Sequence, residues 1–347
     1  MTHRLTPYAA LIVLPLLSHA CATPGPEERA APEADPTAIH ASGDFIASPQ
    51  RSPAGSLPAL AAFDELIESL SDELRVFRWD RSPQVFVFLY PDLAAQARAL
   101  NRIAAFVEKA HAPRDRVLAD AELSAAIRAS GEDEQTYYVG HDYTAAALAA
   151  FFNTVPRSGV QLNPQEQDLR SRLLQWGFFA EVEPGRLVAP TPERVLISIA
   201  PEDSPRLSVQ DRRLKWASVL RHELSHAEFF VNPAYQDYCL QAWQALPDQQ
   251  RAIFTEEFAR LGYDTANTLL LANEFQAFLW EPLVGLIMDV KLKKQNSGLA
   301  LLRADFLAKL KSFTPSVTPL FDLPGFSAPI VWREQNHHLA KVTESIQ

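Results

Sequence analysis

Cysteine is almost missing from this chain: Cys21 and Cys239 are the two in 347 residues. That excludes a disulfide framework, so cross-links do not carry the fold. Glycine is scarce at 12, while proline is abundant at 26 and many prolines fall near the N-terminus, as in a linker. Positive charge is in deficit as well. The formal balance is −10 and the pI about 5.4, which leaves no basic face to neutralise phosphates and argues against a nucleic-acid partner. What is present is ordinary for a globular protein: 47% hydrophobic and 10% aromatic residues, with enough chain for two domains or one large one.

The N-terminus has a different texture. A short segment carrying Arg4 precedes an apolar run, Tyr8 to Leu17, which Ser18-His19-Ala20-Cys21 closes with small residues. This is the layout of a secretory signal over residues 1–20, too short to cross a membrane as a stable helix. Leu17-Ser18-His19-Ala20-Cys21 resembles a bacterial lipobox, in which the cysteine is lipidated and becomes the new N-terminus; cleavage after Ala20 or Ala22 is the alternative. The expectation is an exported protein, periplasmic or held at a membrane as a lipoprotein through Cys21. Residues 21–56 are rich in Pro, Ala, Ser and acids with no apolar period, and read as a disordered tether.

Residues 57–160 read as a mainly helical N-terminal part. Leu57, Leu60, Phe63, Leu66, Ile67, Leu70, Leu74 and Phe77 recur at helical spacing. Gln84 to Tyr90 is a β-rich apolar run bounded by prolines. Asp92 to Ala110 and Val117 to Ser130 read as helices, Gln135 to Val139 as a short strand, His141 as a loop histidine, and Asp142 as the N-cap of a helix through Asn153. In residues 161–313, Pro164 to Trp176 is helical, and Phe179–Glu183 and Arg186–Ala189 flank a Pro184-Gly185 turn as a hairpin. Arg194 to Ile199 is the strongest strand pattern, either an edge strand able to pair with a peptide or a fully buried one. Ser208 and Asp211 have capping-box spacing ahead of a helix that Pro233 ends. Further helices are expected over 234–246, over 247–262 closing at Gly262, after an Asp264 cap, and over Gly298 to Phe313. The tail, 314–347, has no clear period. The expected class is α+β, predominantly helical, with a small β-sheet.

In the helix before Pro233, Trp216, Leu220, Leu224 and Ala227 form an apolar stripe, and Val219, His222 and His226 fall on an adjacent face. His222-Glu223-Leu224-Ser225-His226 is an H-E-x-x-H sequence. On a helix its histidines lie one turn apart and grip a single metal ion, with Glu223 beside it to accept a proton from water. A catalytic zinc takes three protein ligands plus water, so a third ligand is needed. No histidine follows His226 until His337, which excludes a third His six residues downstream. Glu274 is the best acid: it is charged inside an otherwise apolar helix, a costly placement unless the carboxylate meets a cation. Glu228 and Glu281 are alternatives, Glu228 standing close to His226 in sequence. For an oxyanion donor the candidates are Tyr263, Tyr235, Tyr238, His337 and His338. Cys239 is expected to be a small buried apolar residue.

Arg221-His222-Glu223-Leu224-Ser225-His226 followed by Asn273-Glu274-Phe275-Gln276-Ala277, with 47 residues between His226 and Glu274, resembles the gluzincin group of zinc metallopeptidases. The resemblance covers about residues 195–281. It implies a zincin-like core, Zn2+ held by His222, His226 and Glu274, Glu223 as general base, and a peptide or protein substrate. Many members of that group carry an Asp four residues after the ligand Glu, where it orients the first His. Here Phe278 stands in that place, and the orienting partner is unassigned. The expected function is that of a zinc-dependent peptide hydrolase of the cell envelope. Two alternatives are a non-catalytic envelope lipoprotein with a structural or vestigial metal site, and a zinc hydrolase of a cell-wall amide.

Overall fold

The computed structural model describes residues 56–69, 71–108, 113–135, 137, 140–201, 209–261, 263–280, 291–293 and 298–313. Residues 1–55, where a secretory signal, Cys21 and most of a tether are expected, lie outside them, as do Ser208, Gly262, Glu281, the tail from 314 with His337 and His338, and most of Gln135–Val139. Among the described residues no helix is long and apolar enough to cross a membrane.

The fold is α+β. Its centre is a pair of apolar strands, β3 (Ser82–Leu89) and β7 (Val195–Ile199), which pair in parallel from Val85↔Val195 to Leu89↔Ile199. Because side chains alternate along a strand, the two strands feed two cores. Val85, Val87, Leu89, Val195, Ile197 and Ile199 face one, and Phe86, Phe88 and Leu196 face the other. Against β3 lies β2 (Arg75–Trp79), antiparallel, with the short β1 (Leu60–Ala61) outside it; against β7 lies β4 (Gly140–Thr144), antiparallel. The order is β1-β2-β3-β7-β4. A separate hairpin pairs β5 (Ala180–Glu183) with β6 (Arg186–Val188) about the expected turn.

Helices cover both faces. On the Phe86 face lie α2 (Leu93–Val107), α4 (Ala145–Ser158) and α5 (Pro164–Gln175), contributing Leu100, Phe151 and Leu173 to that core. Asp92 caps α2 by accepting from Ala95 N at 2.6 Å. A reciprocal Asn163–Glu166 box with Pro164 in the first turn starts α5. The helix α3 (Asp120–Ser130) sits beside α2 in a satellite core of Ala105, Leu118, Ile127 and Tyr137. On the Val85 face lie α6 (Val209–Val231), α7 (Pro233–Ala245), α8 (Asp248–Arg260), α9 (Thr268–Phe278) and α10 (Leu299–Phe313), with Leu220, Leu224, Phe254, Phe275 and Phe306 buried among them. Cys239 is buried there too, as expected.

The structure corrects several local expectations. The helical spacing from Leu57 to Phe77 yields only α1 (Phe63–Glu68), because Arg75–Trp79 pairs with β3 and Arg78 N donates to Ala59 O. Strand pairing outweighs a period that Pro58 already interrupts. The helix after β4 is capped by Thr144, whose hydroxyl accepts from Ala147 N at 3.1 Å, and Asp142 instead lies within the strand. Asn267, and not Asp264, caps α9. Of the two expectations for Arg194–Ile199 the fully buried strand holds: all five residues of β7 are buried between β3 and β4, and β4 is the edge strand on that side. Residues 57–160 hold more helix than strand, in α1 to α4, but they also supply four of the five strands, so the sheet spans the division expected at residue 160.

Candidate metal centre

The 23-residue helix α6 seats its apolar stripe, Trp216, Leu220, Leu224 and Ala227, in the core beneath β7. The neighbouring face carries His222 and His226 one turn apart, with their Nε2 atoms 2.9 Å from each other. The third member arrives from α9, whose residues Leu271 to Phe278 are all buried. Glu274 projects from it so that Oε2 is 3.9 Å from His222 Nε2 and Oε1 is 3.8 Å from His226 Nε2. One ligand atom from each of the three residues falls within 4.8 Å of the others. These separations bracket the about 3.3 Å expected between tetrahedral ligands whose bonds to zinc are roughly 2.0–2.2 Å. The sequence-predicted ligand set is therefore brought together, and it can hold a metal ion.

Electrostatics point the same way. His222, Glu223 and His226 are each 2% exposed and Glu274 is 5% exposed. Burial pushes the Glu274 carboxyl up to about 8; the His226 ring and a Tyr263 hydrogen bond hold it back, while Asp142 and Glu108 add to the rise. Its Oε2 takes no hydrogen bond among the described residues. A buried carboxylate of this kind is stabilised in its charged form by a cation. Burial also lowers His222 to about 3, keeping the imidazole neutral and able to ligate.

Glu223 projects towards the edge strand. Its carboxylate lies so close to Gly140 of β4 that a Cβ placed there would fall 1.9 Å from Oε1 and 2.7 Å from Cδ. A side chain at position 140 would therefore force the Glu223 carboxylate to move. Tyr263 hydrogen-bonds Glu274, and burial raises its hydroxyl well above the ordinary tyrosine value, so it stays protonated. The other two tyrosines are engaged elsewhere: Tyr235 donates to Gln276 Oε1 at 2.8 Å and Tyr238 to the Phe306 carbonyl. Glu228 accepts from Asn232 Nδ2 at 2.7 Å and is not among the grouped ligands. Phe278 sets its ring edge-on against His222, with centroids 5.1 Å apart at 86°.

Two residues of β4 change role. Asp142, expected to be a helix cap, faces His226 with Oδ2 3.8 Å from Nδ1, and burial raises its carboxyl to about 7. His141, expected in a loop, is buried on the opposite face of the sheet. Its Nδ1 is 3.1 Å from Ser198 Oγ and 3.2 Å from Gln96 Nε2. No motif spacing links residue 142 to residue 226. The available signal was period-2 alternation from Gly140 to Thr144, which a local cap reading obscured.

No family model matches the chain, and neither a curated protein nor a solved structure matches it. A cavity of about 980 Å³ lies between α7 and α10, lined by Tyr238, Leu246, Leu302 and Phe306 among others, and contains none of the three ligands or Glu223.

Proposed function

We propose that this chain is a zinc-dependent peptide hydrolase with a gluzincin-like site, exported and held at the cell envelope. The observation that supports it is the convergence of Glu274, from a separate buried helix, on the paired Nε2 atoms of His222 and His226. Two imidazoles and one carboxylate form a donor set that zinc uses in catalytic sites. Bound by these three residues, zinc supplies Lewis acidity to a substrate carbonyl and makes water acidic enough to deprotonate near neutral pH. Glu223 takes the proton of the attacking water on its carboxylate as the C–O bond forms. It then returns the proton to the amide nitrogen as the C–N bond breaks, so the products are a carboxylic acid and an amine. Tyr263, kept protonated by burial, turns its hydroxyl from Glu274 to donate a hydrogen bond to the oxygen that gains charge.

Burial of every site residue favours a second assignment, a structural metal site in a non-catalytic envelope protein. Metal analysis together with Glu223→Gln separates the two. The hydrolase should carry about one zinc per chain, and Glu223→Gln should retain it while cleavage of a fluorogenic peptide library falls by roughly 10²–10⁴-fold. A metal-free protein, or a variant as active as the parent, refutes the proposal; zinc without cleavage in the parent favours the structural site.

A further inference from the structure

We infer that Asp142, on the edge strand β4, is the positioning residue for His226, its carboxylate facing the ring nitrogen turned away from the other two ligands. The inference rests on the metal-site assignment above and adds a residue that no motif points to. On His226 the two ring nitrogens face different partners. Nε2 faces His222 Nε2 at 2.9 Å and Glu274 Oε1 at 3.8 Å, and Nδ1 faces Asp142 Oδ2 at 3.8 Å. A ligating imidazole needs its free lone pair on the metal side, and a carboxylate at the other nitrogen holds the proton there.

The backbone that carries Asp142 is held on both sides. In the ladder Asp142 stands opposite Ile197, between the His141↔Ser198 and Tyr143↔Leu196 pairs. Next to it, His141 turns to the far face and is fixed by Ser198 Oγ and Gln96 Nε2, which themselves bond at 2.7 Å. Strand alternation then directs Asp142 towards α6, on the same side as Gly140, which meets Glu223. A displacement of about 1 Å brings Oδ2 within hydrogen-bond reach of Nδ1, and one bridging water gives the same coupling without it. Groups placed on a rigid element in this way hold a ligand's orientation better than groups on a loop.

The test measures zinc affinity of the full-length protein by competition with a chromogenic chelator, in the parent, Asp142→Asn and Asp142→Glu. Asp142→Asn should bind zinc about 10–100-fold more weakly, the usual effect of losing such a partner. Asp142→Glu should recover part of the loss because it restores a carboxylate. The visible spectrum of the cobalt-substituted protein should shift in Asp142→Asn, while the circular dichroism and melting of the metal-free protein stay as in the parent. Affinity within two-fold of the parent overturns the inference, and so does a variant whose metal-free fold is lost, since the role would then be structural. A parent that binds no zinc overturns the site assignment itself, a distinguishable failure.

Discussion

Gly140→Ala is the sharpest probe of how the edge strand meets the general base. The added Cβ falls 1.9 Å from Glu223 Oε1, so strand and carboxylate must separate by at least about 1.1 Å to reach even a 3.0 Å contact. The strand is held, Gly140 being paired with Ile199 in the ladder, so it is the end of the Glu223 side chain, 2% exposed, that has to move. Overpacking of this size costs about 1–3 kcal/mol. A reacting group displaced by about 1 Å loses roughly 10²-fold in rate. The three metal ligands are untouched, so zinc content should stay at that of the parent. A double-mutant cycle isolates the contact. With Glu223→Ala in place the obstructing atoms are gone, and Gly140→Ala should then be neutral or stabilising by about 0.5 kcal/mol, because alanine restricts the unfolded chain. Urea unfolding of the four metal-free proteins should give a coupling of about 1.5–3 kcal/mol. An equal cost of Gly140→Ala in both backgrounds would falsify the close approach, whatever the activity assays show.

The other predictions concern ligation and burial. Glu274→Ala should abolish zinc binding and with it the zinc-dependent rise in melting temperature; unchanged zinc content in that variant would place the third ligand elsewhere. Glu223→Gln, by contrast, should melt like the parent with zinc present, and a zinc-dependent melting shift lost in that variant would make Glu223 a ligand instead of a base. His141 is held neutral by burial, its value lowered from 6.5 to about 3. The unfolded chain therefore takes up a proton below about pH 6.5 that the folded chain does not, and this contribution to stability is complete above that pH and drains away as pH falls towards 3. His141→Asn should flatten the pH dependence of urea stability between pH 6 and 4 by about 1.4 kcal/mol per pH unit; identical slopes in the two proteins would contradict a buried neutral imidazole.

Much of this protein was legible in the sequence because it depends on neighbours a few residues apart. Asp92 and Asn163 cap their helices from within one turn, the Pro184-Gly185 turn closes its own hairpin, and His222 and His226 share a helix face at i, i+4 spacing whatever surrounds them. Glu274 was legible in a weaker sense, as an acid in an apolar helix whose cost asks for a cation. The order of the sheet was not. Arg75–Trp79 and Gly140–Thr144 become strands because distant segments offer them partners, and local spacing suggested a helix for the first and a cap for the second. The same non-local pairing decided which strand forms the edge beside α6. It turned Asp142 from an ordinary capping residue into the carboxylate facing His226, and set Gly140 where the Glu223 carboxylate approaches the strand. The ligand pair on α6 belongs to the sequence by itself, since a helix repeats every 3.6 residues. Its surroundings belong to the tertiary structure, since only folding brings β4, α6 and α9 together.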